Sequence, residues 1–225
     1  MSLVSDARRF GSNLAWGATL CLLALAPLTA SATLITSSGD AALSGALVMT
    51  FDSESPAYFA SRSFLIGSDG FTVSSLADDL HIDNSFCGSF GTSGSCLDTI
   101  GSNNSPNDDF DVVFTGAGVS AFGFALNALD TDWTIETYDT NDNLLGSYVV
   151  PSQSPGATGF DRRGYFGATE VALIQYFTVR STGDDRALID DFAFVPAPEP
   201  SAALLAGLGL LGLASVGRSP KPRRS

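Results

Sequence analysis

Three groups of residues in this sequence have the chemistry to hold an ion or a ligand. The first is carboxylate: Asp108, Asp109 and Asp111; Asp130 and Asp132; Asp139, Asn141 and Asp142; and Asp184, Asp185, Asp190 and Asp191 stand in short clusters. Hard oxygen donors of this kind suit Ca2+. None of the runs is an EF-hand loop, because counting from Asp139 places Leu144 where the turn glycine belongs and Val150 where the bidentate glutamate belongs. Turns and solvated rims are the plainer use of any one cluster. The second group is aromatic. Trp133, Tyr138, Tyr148 and Tyr165 are candidates to present a ring to a sugar beside carboxylates that accept its hydroxyl hydrogens, with core packing as the commoner use of such rings. The third is a pair of cysteines, Cys87 and Cys96, in a stretch rich in Gly, Ser and Thr.

Catalysis lacks its parts. Nucleophilic triads need a base that titrates near neutrality, and His81 is the single histidine, read here as a surface-loop residue. Zinc would need more Cys or His ligands than the chain offers. Glycoside hydrolysis needs only two carboxylates at a set separation, so an acidic chain leaves that alternative open without favouring any pair. Gly207-Leu208-Gly209-Leu210-Leu211-Gly212 matches a dinucleotide fingerprint, but it lies in an apolar run with no strand before it and is a chance match.

Both ends of the chain read as targeting segments. Arg8 and Arg9 precede the apolar run 14–28, and Ala30-Ser31-Ala32 offers a signal-peptidase site, so residues 1–32 are expected to pass through the Sec machinery and be removed. At the other end, Val195-Pro196-Ala197-Pro198-Glu199-Pro200 is an extended stalk, since proline has no backbone donor and fixes φ. Residues 201–216 carry no charge and would form a helix of roughly 24 Å against a hydrocarbon core of about 30 Å. Arg218, Lys221, Arg223 and Arg224 then hold the terminus on the cytoplasmic side.

Between the two lies one domain. The whole chain has 24 acidic and 11 basic residues. Over residues 33–200, 23 acidic residues face 5 arginines and no lysine, a net charge of −18. That balance excludes phosphate-backbone binding and with it nucleic acid as a partner. In an oxidising compartment Cys87 and Cys96 are expected to pair, since Cys21 leaves with the signal peptide.

The elements that must position these residues are strands. Stretches 43–51, 64–66, 71–75, 110–114, 119–126, 133–138, 144–150, 171–180 and 188–195 are rich in aromatic and β-branched residues and are bounded by Gly, Asp, Asn or Pro. Stretch 171–180 alternates as one strand covered on both faces. Asp139-Thr140-Asn141-Asp142-Asn143 has the composition of a hairpin turn, and 78–106 reads as one long loop. No helical stripe runs through the domain, so the expected fold is all-β: an antiparallel two-sheet sandwich over residues 33–195.

The order Pro198-Glu199-Pro200, apolar helix, arginine-rich end resembles the PEP-CTERM sorting signal of exported bacterial proteins, with the basic cluster spread by Ser219, Pro220 and Pro222. That resemblance covers residues 196–225. It implies a membrane-embedded exosortase that cuts near the motif and releases the domain to the cell surface or its polysaccharide matrix; the alternative is a plain C-terminal anchor. Phe122-Gly123-Phe124, Trp133, Tyr138, Gly164-Tyr165-Phe166-Gly167 and the run 188–194 are similar to the jelly-roll ectodomains and carbohydrate-binding modules that precede such tails. Within that likeness a structural Ca2+ would be held near the domain's two ends, which points to Asp52 and Asp190 with Asp191 beside them. The function these features imply is a non-enzymatic surface or matrix protein with a structural or weak exopolysaccharide-binding role. The alternative is a secreted polysaccharide-active enzyme.

Overall fold

The computed structural model describes residues 32–76, 79–87, 94–102, 109–152, 163–183 and 185–197. The expected signal peptide, the Pro198-Glu199-Pro200 motif and the expected span 201–216 lie outside the described residues. In chain order the strands are β1 (Thr33–Ile35), β2 (Leu47–Met49), β3 (Ala57–Phe59), β4 (Ser61–Ile66), β5 (Asp69–Ser75), β6 (Leu80–Asp83) and β7 (Cys96–Asp98). They continue with β8 (Phe110–Phe114), β9 (Val119–Asn127), β10 (Trp133–Tyr138), β11 (Leu144–Val150), β12 (Arg163–Ile174), β13 (Tyr176–Ser181) and β14 (Leu188–Pro196).

They form the expected sandwich of two antiparallel sheets. One runs β1-β12-β9-β14-β7-β6-β3, with β2 beside β14; the other runs β11-β10-β13-β8-β5-β4. Period two explains which residues fill the space between them. From the first sheet come Phe122 and Phe124 of β9 and Phe192 and Phe194 of β14; from the second come Phe71, Phe114 and Phe177, all buried. Rings meet across the gap, Phe122 stacking on Phe177 at 4.3 Å and Phe71 on Phe192 at 4.2 Å between centroids. Burying each phenylalanine contributes about 1.5–3 kcal/mol, and ring pairing adds about 0.5–1.5 kcal/mol.

Three stretches depart from the sequence reading. The expected strand 43–51 begins as a 3-10 turn at Ala41–Leu43, capped by Asp40 accepting from the Ala42 amide, and Gly45 at φ 77° turns the chain before β2. The expected loop 78–106 holds β6 and β7, too short to show an alternation. The expected strand 171–180 is broken at Gln175, where the chain passes between sheets: Ile174 still pairs with Val119 of β9, while Tyr176 pairs with Tyr138 of β10. The Gln175 amide donates to the Tyr138 carbonyl and its side chain to the Phe114 carbonyl. The two-sided cover expected there is accordingly lost, with Val171 74% exposed and Phe177 buried. The hairpin at 139–143 forms as expected, Asp139 accepting from the Asn141 and Asn143 amides and Asp142 taking φ 61°.

The connection from β13 back to β14 is pinned by Asp185, which is 4% exposed. Its Oδ2 accepts from the Asp130 and Thr131 amides, the Thr131 hydroxyl and Nε1 of Trp133 at 2.8–3.1 Å, and its Oδ1 accepts from the Arg186 amide. A buried carboxylate is tolerated because donors surround it. Replacing it by alanine leaves those donors buried and unmet, so Asp185→Ala is expected to lower the unfolding free energy by about 3 kcal/mol or more. Trp133→Phe removes one donor and is expected to cost about 1–2 kcal/mol. Denaturant unfolding of the two variants checks the order.

A candidate ligand-binding cleft

Register assembles a cleft at the β3 edge of the first sheet. Tyr58 of β3 stands opposite His81 of β6, and His81 stands opposite Asp98 of β7, so the three form a row across adjacent strands. The Tyr58 and His81 rings stack at 4.1 Å and 10°. Two residues on, and therefore on the same face, Asp83 ends β6 and builds the turn that follows. Its Oδ1 accepts from the Ser85 amide and hydroxyl, and its Oδ2 from the Phe86 amide at 2.8 Å. That turn places Phe86 outward, and the next residue, Cys87, is bonded to Cys96 at the start of β7, with Cα atoms 5.7 Å apart. The expected disulfide therefore forms and ties the end of the turn, one residue after Phe86, to the start of β7.

Arg186 completes the cleft from the far end of the sequence. Its Nε donates to Asp98 Oδ1 at 2.9 Å, its Nη2 donates to Asp98 Oδ2 and lies 3.7 Å from Asp83 Oδ2, and its guanidinium carbon sits 4.0 Å from the Phe86 ring centre. Tyr58, His81, Asp83, Phe86, Ile100 and Arg186 enclose about 200 Å3. Tyr58 and Phe86 are each 46% exposed, which puts two aromatic rings at the mouth of a space floored by charge.

The electrostatics show which groups are already committed. Burial pushes Asp98, which has no exposed surface, above its ordinary carboxylate value, and the hydrogen bond and charge of Arg186 pull the other way without cancelling it. Burial would also raise Asp83, but the hydrogen bonds from Ser85 and Phe86 outweigh it and hold the carboxyl below its ordinary value. Neither acid is placed to shuttle a proton to a ligand, since one is locked to Arg186 and the other organises a turn. The unspent groups are donors: Nη1 of Arg186, the His81 ring nitrogens and the Tyr58 hydroxyl make no hydrogen bond among the described residues.

The aromatic residues singled out in the sequence fare differently. Trp133 is buried with its indole N–H on Asp185, which corrects its reading as a sugar platform. Tyr138 is half-buried on the outer face of the second sheet, stacked on Tyr176 at 4.7 Å, and its hydrogen bond to Glu136 raises the phenol to about 12. Tyr148 donates to Glu170 and packs edge-on against Phe166, burial and that bond pushing its phenol up. Tyr165 lines a larger cavity of about 360 Å3 with Leu43, Val48, Ala193 and Asp191, so it does meet one of the residues read as a cation ligand. Its ring lies flat on Gly123, where an added Cβ would approach within 2.7 Å, and its buried hydroxyl has no hydrogen-bond partner among the described residues. Burial and then Asp191 raise that phenol to about 12. The Tyr165 hydroxyl is buried, so the polar groups this cavity presents come from Ser38 and Asp191.

Asp52, Asp190 and Asp191 fall near one junction. β2 and β7 share an edge of β14, leaving Asp190 and Asp191 between them, and Asp52 Oδ1 accepts from the Ser95 amide beside β7. Asp190 is buried, while Asp191 is exposed at φ 50°. Among the described residues no three His, Cys, Asp or Glu side chains gather closely enough to hold a metal. Nothing local in the sequence marks Tyr58, Phe86 or Arg186 as site residues, because strand register, the Asp83 turn and a long-range ion pair bring them together.

No family model matches the chain, and no curated protein matches it. Among solved structures it is similar to the K1 cleaved adhesin domain of Lys-gingipain from Porphyromonas gingivalis W83, at 12% identity and TM-score 0.41, over 68% of this chain and 99% of that one. It is also similar to TmCBM61 in complex with β-1,4-galactotriose, at 16% identity and TM-score 0.37, over 56% of this chain and 88% of that one. Likeness at this level is one of sandwich outline and assigns no residue a role.

Two outcomes follow from the site's chemistry. The depressed Asp83 stabilises the fold above the unfolded carboxylate value near 3.9, and this contribution is lost as pH falls through that value toward the lower folded one. Melting temperature against pH is therefore expected to fall less steeply below about pH 4 in Asp83→Asn than in the parent, with stability at neutral pH lower by about 1–2 kcal/mol. Tyr165→Phe removes a buried hydroxyl that has no partner and is expected to leave stability unchanged or raise it by about 1 kcal/mol; a loss in calorimetry would contradict this placement.

Proposed function

We propose that this is an exported, non-enzymatic β-sandwich protein that holds a glycan in the Tyr58–Phe86 cleft. The observation that carries the reading is the pair of exposed aromatic rings at the mouth of a polar pocket whose donors are unspent. A sugar ring presents C–H groups on its faces and oxygens at its rim. It can therefore lie against an aromatic ring while Arg186 and His81 donate to its oxygens. Affinity is expected to be weak, because the cleft is small and open.

Delivery is the second half of the proposal. The Cys87–Cys96 bond suits an oxidising compartment. The last strand runs to Pro196, the Ala197 amide donates to the Gly118 carbonyl, and Pro198-Glu199-Pro200 follows at once. The reading is of Sec export, signal-peptidase removal of residues 1–32, and an exosortase that acts on the tail next to the folded rim, leaving the domain at the cell surface or in an exopolysaccharide matrix.

Affinity electrophoresis of the full chain against a panel of bacterial and plant polysaccharides tests the binding. At least one polymer is expected to retard the parent protein, and Tyr58→Ala and Phe86→Ala are each expected to weaken that retardation about tenfold or more, equivalent to about 1.4 kcal/mol. Retardation that survives both changes would place the glycan elsewhere on the domain.

A further inference from the structure

We infer that the ligand of this cleft is a neutral saccharide, and that glycans bearing carboxylate or sulfate groups are turned away. The inference rests on the glycan reading of the same site and concerns what kind of glycan enters.

It follows from the hydrogen-bonding capacity left over once the protein's own bonds are made. Asp98 Oδ1 accepts from Arg186 Nε and from the Ile100 amide, and Oδ2 accepts from Arg186 Nη2. Asp83 accepts from the Ser85 amide, the Ser85 hydroxyl and the Phe86 amide, with Arg186 3.7 Å away. The guanidinium thus faces two carboxylates, so the floor of the cleft carries no net positive charge. What remains for a ligand are N–H and O–H groups on Arg186, His81 and Tyr58. Donors without surplus positive charge suit the hydroxyl and ring oxygens of a neutral sugar; they do not offset an anion brought near Asp83 and Asp98.

The rest of the described surface reinforces this. The three arginines whose side chains are described are each bound to a carboxylate: Arg62 to Glu54, Arg180 to Asp111 and Arg186 to Asp98. An acidic polymer would therefore meet a chain whose residues 33–200 carry a net charge of −18, with no described basic patch along its path. Size sets a further limit. The cleft encloses about 200 Å3, below the range of about 300–1,000 Å3 typical of drug-sized ligands, which leaves room for one sugar ring while its chain continues into solvent.

The test compares matched polymers, so that only the charge differs. Polygalacturonate and alginate are each offered to the full chain before and after reduction of their carboxyl groups to hydroxymethyl groups, and neutral galactan and glucan are run beside them. A neutral or reduced polymer is expected to bind with little dependence on salt. Its acidic parent is expected to bind at least about tenfold more weakly at low salt, the gap narrowing as salt screens the repulsion. Asp83→Asn, which keeps an acceptor for the turn while removing one negative charge, is expected to narrow the same gap. An acidic parent that binds as tightly as its reduced form, or that binds well and is released by salt, overturns the inference while leaving the cleft as a glycan site. Failure of every polymer to bind, with Tyr58→Ala indistinguishable from the parent protein, overturns the glycan reading itself.

Discussion

The sandwich and its cleft both depend on a run of three residues, Asp185-Arg186-Ala187, where the chain leaves one sheet and enters the other. Asp185 looks toward the second sheet and gathers the Asp130–Thr131 loop and the Trp133 indole. Arg186 looks the other way, onto Asp98 of β7 and the Phe86 ring. Ala187 closes the junction, its amide donating to the Thr99 hydroxyl and its carbonyl accepting from the Thr99 amide. Two buried carboxylates, Asp98 and Asp185, are expensive to hold dry, and each is tolerated only because fixed donors surround it. The same arrangement that satisfies these charges sets the floor of the cleft, which is why fold and site cannot be separated here.

Seen this way, the acidity of the domain has a structural use. Asp40 caps the 3-10 turn, Asp83 builds the turn after β6, Asp139 closes the β10–β11 hairpin, Asp132 accepts from the Ser152 amide and Asp109 from the Ser181 amide. Short strands joined by tight turns leave many amides outside the ladders, and an aspartate beside a turn is the shortest acceptor that reaches them. Of the clusters that read as cation ligands, Asp109 and Asp111 converge on Arg180, while Asp132 and Asp139 each accept from backbone amides.

How far this was legible in the sequence depended on length and locality. Strands β8, β10 and β11 were readable to the residue, because each carries a period-two pattern and ends at Asp, Asn, Gly or Pro. Strands β3, β6 and β7, three or four residues long, are too brief for any period, so 78–106 looked like a loop. Gln175 gave no sign of a break, since its neighbours alternate smoothly and only the pairing partners change. Cys87 and Cys96 were legible because export leaves them no other partner. Trp133 was not, because an indole beside acidic residues reads the same whether its N–H faces water or a buried Asp185. The cleft was least visible of all: Tyr58, the His81–Phe86 stretch and Arg186 are far apart in the chain, joined by strand register, the Asp83 turn and one long-range ion pair.

The account stands on a sugar ring lying between Tyr58 and Phe86. Heteronuclear NMR of the full chain, titrated with neutral oligosaccharides released from a polymer that retards it, observes that contact directly. The account predicts saturable shifts at the Tyr58, His81 and Phe86 rings and at the Arg186 guanidinium, with the Tyr138–Tyr176 face and the Tyr165 cavity unchanged. Shifts confined to that face or that cavity, with the Tyr58–Phe86 cleft silent, would contradict it.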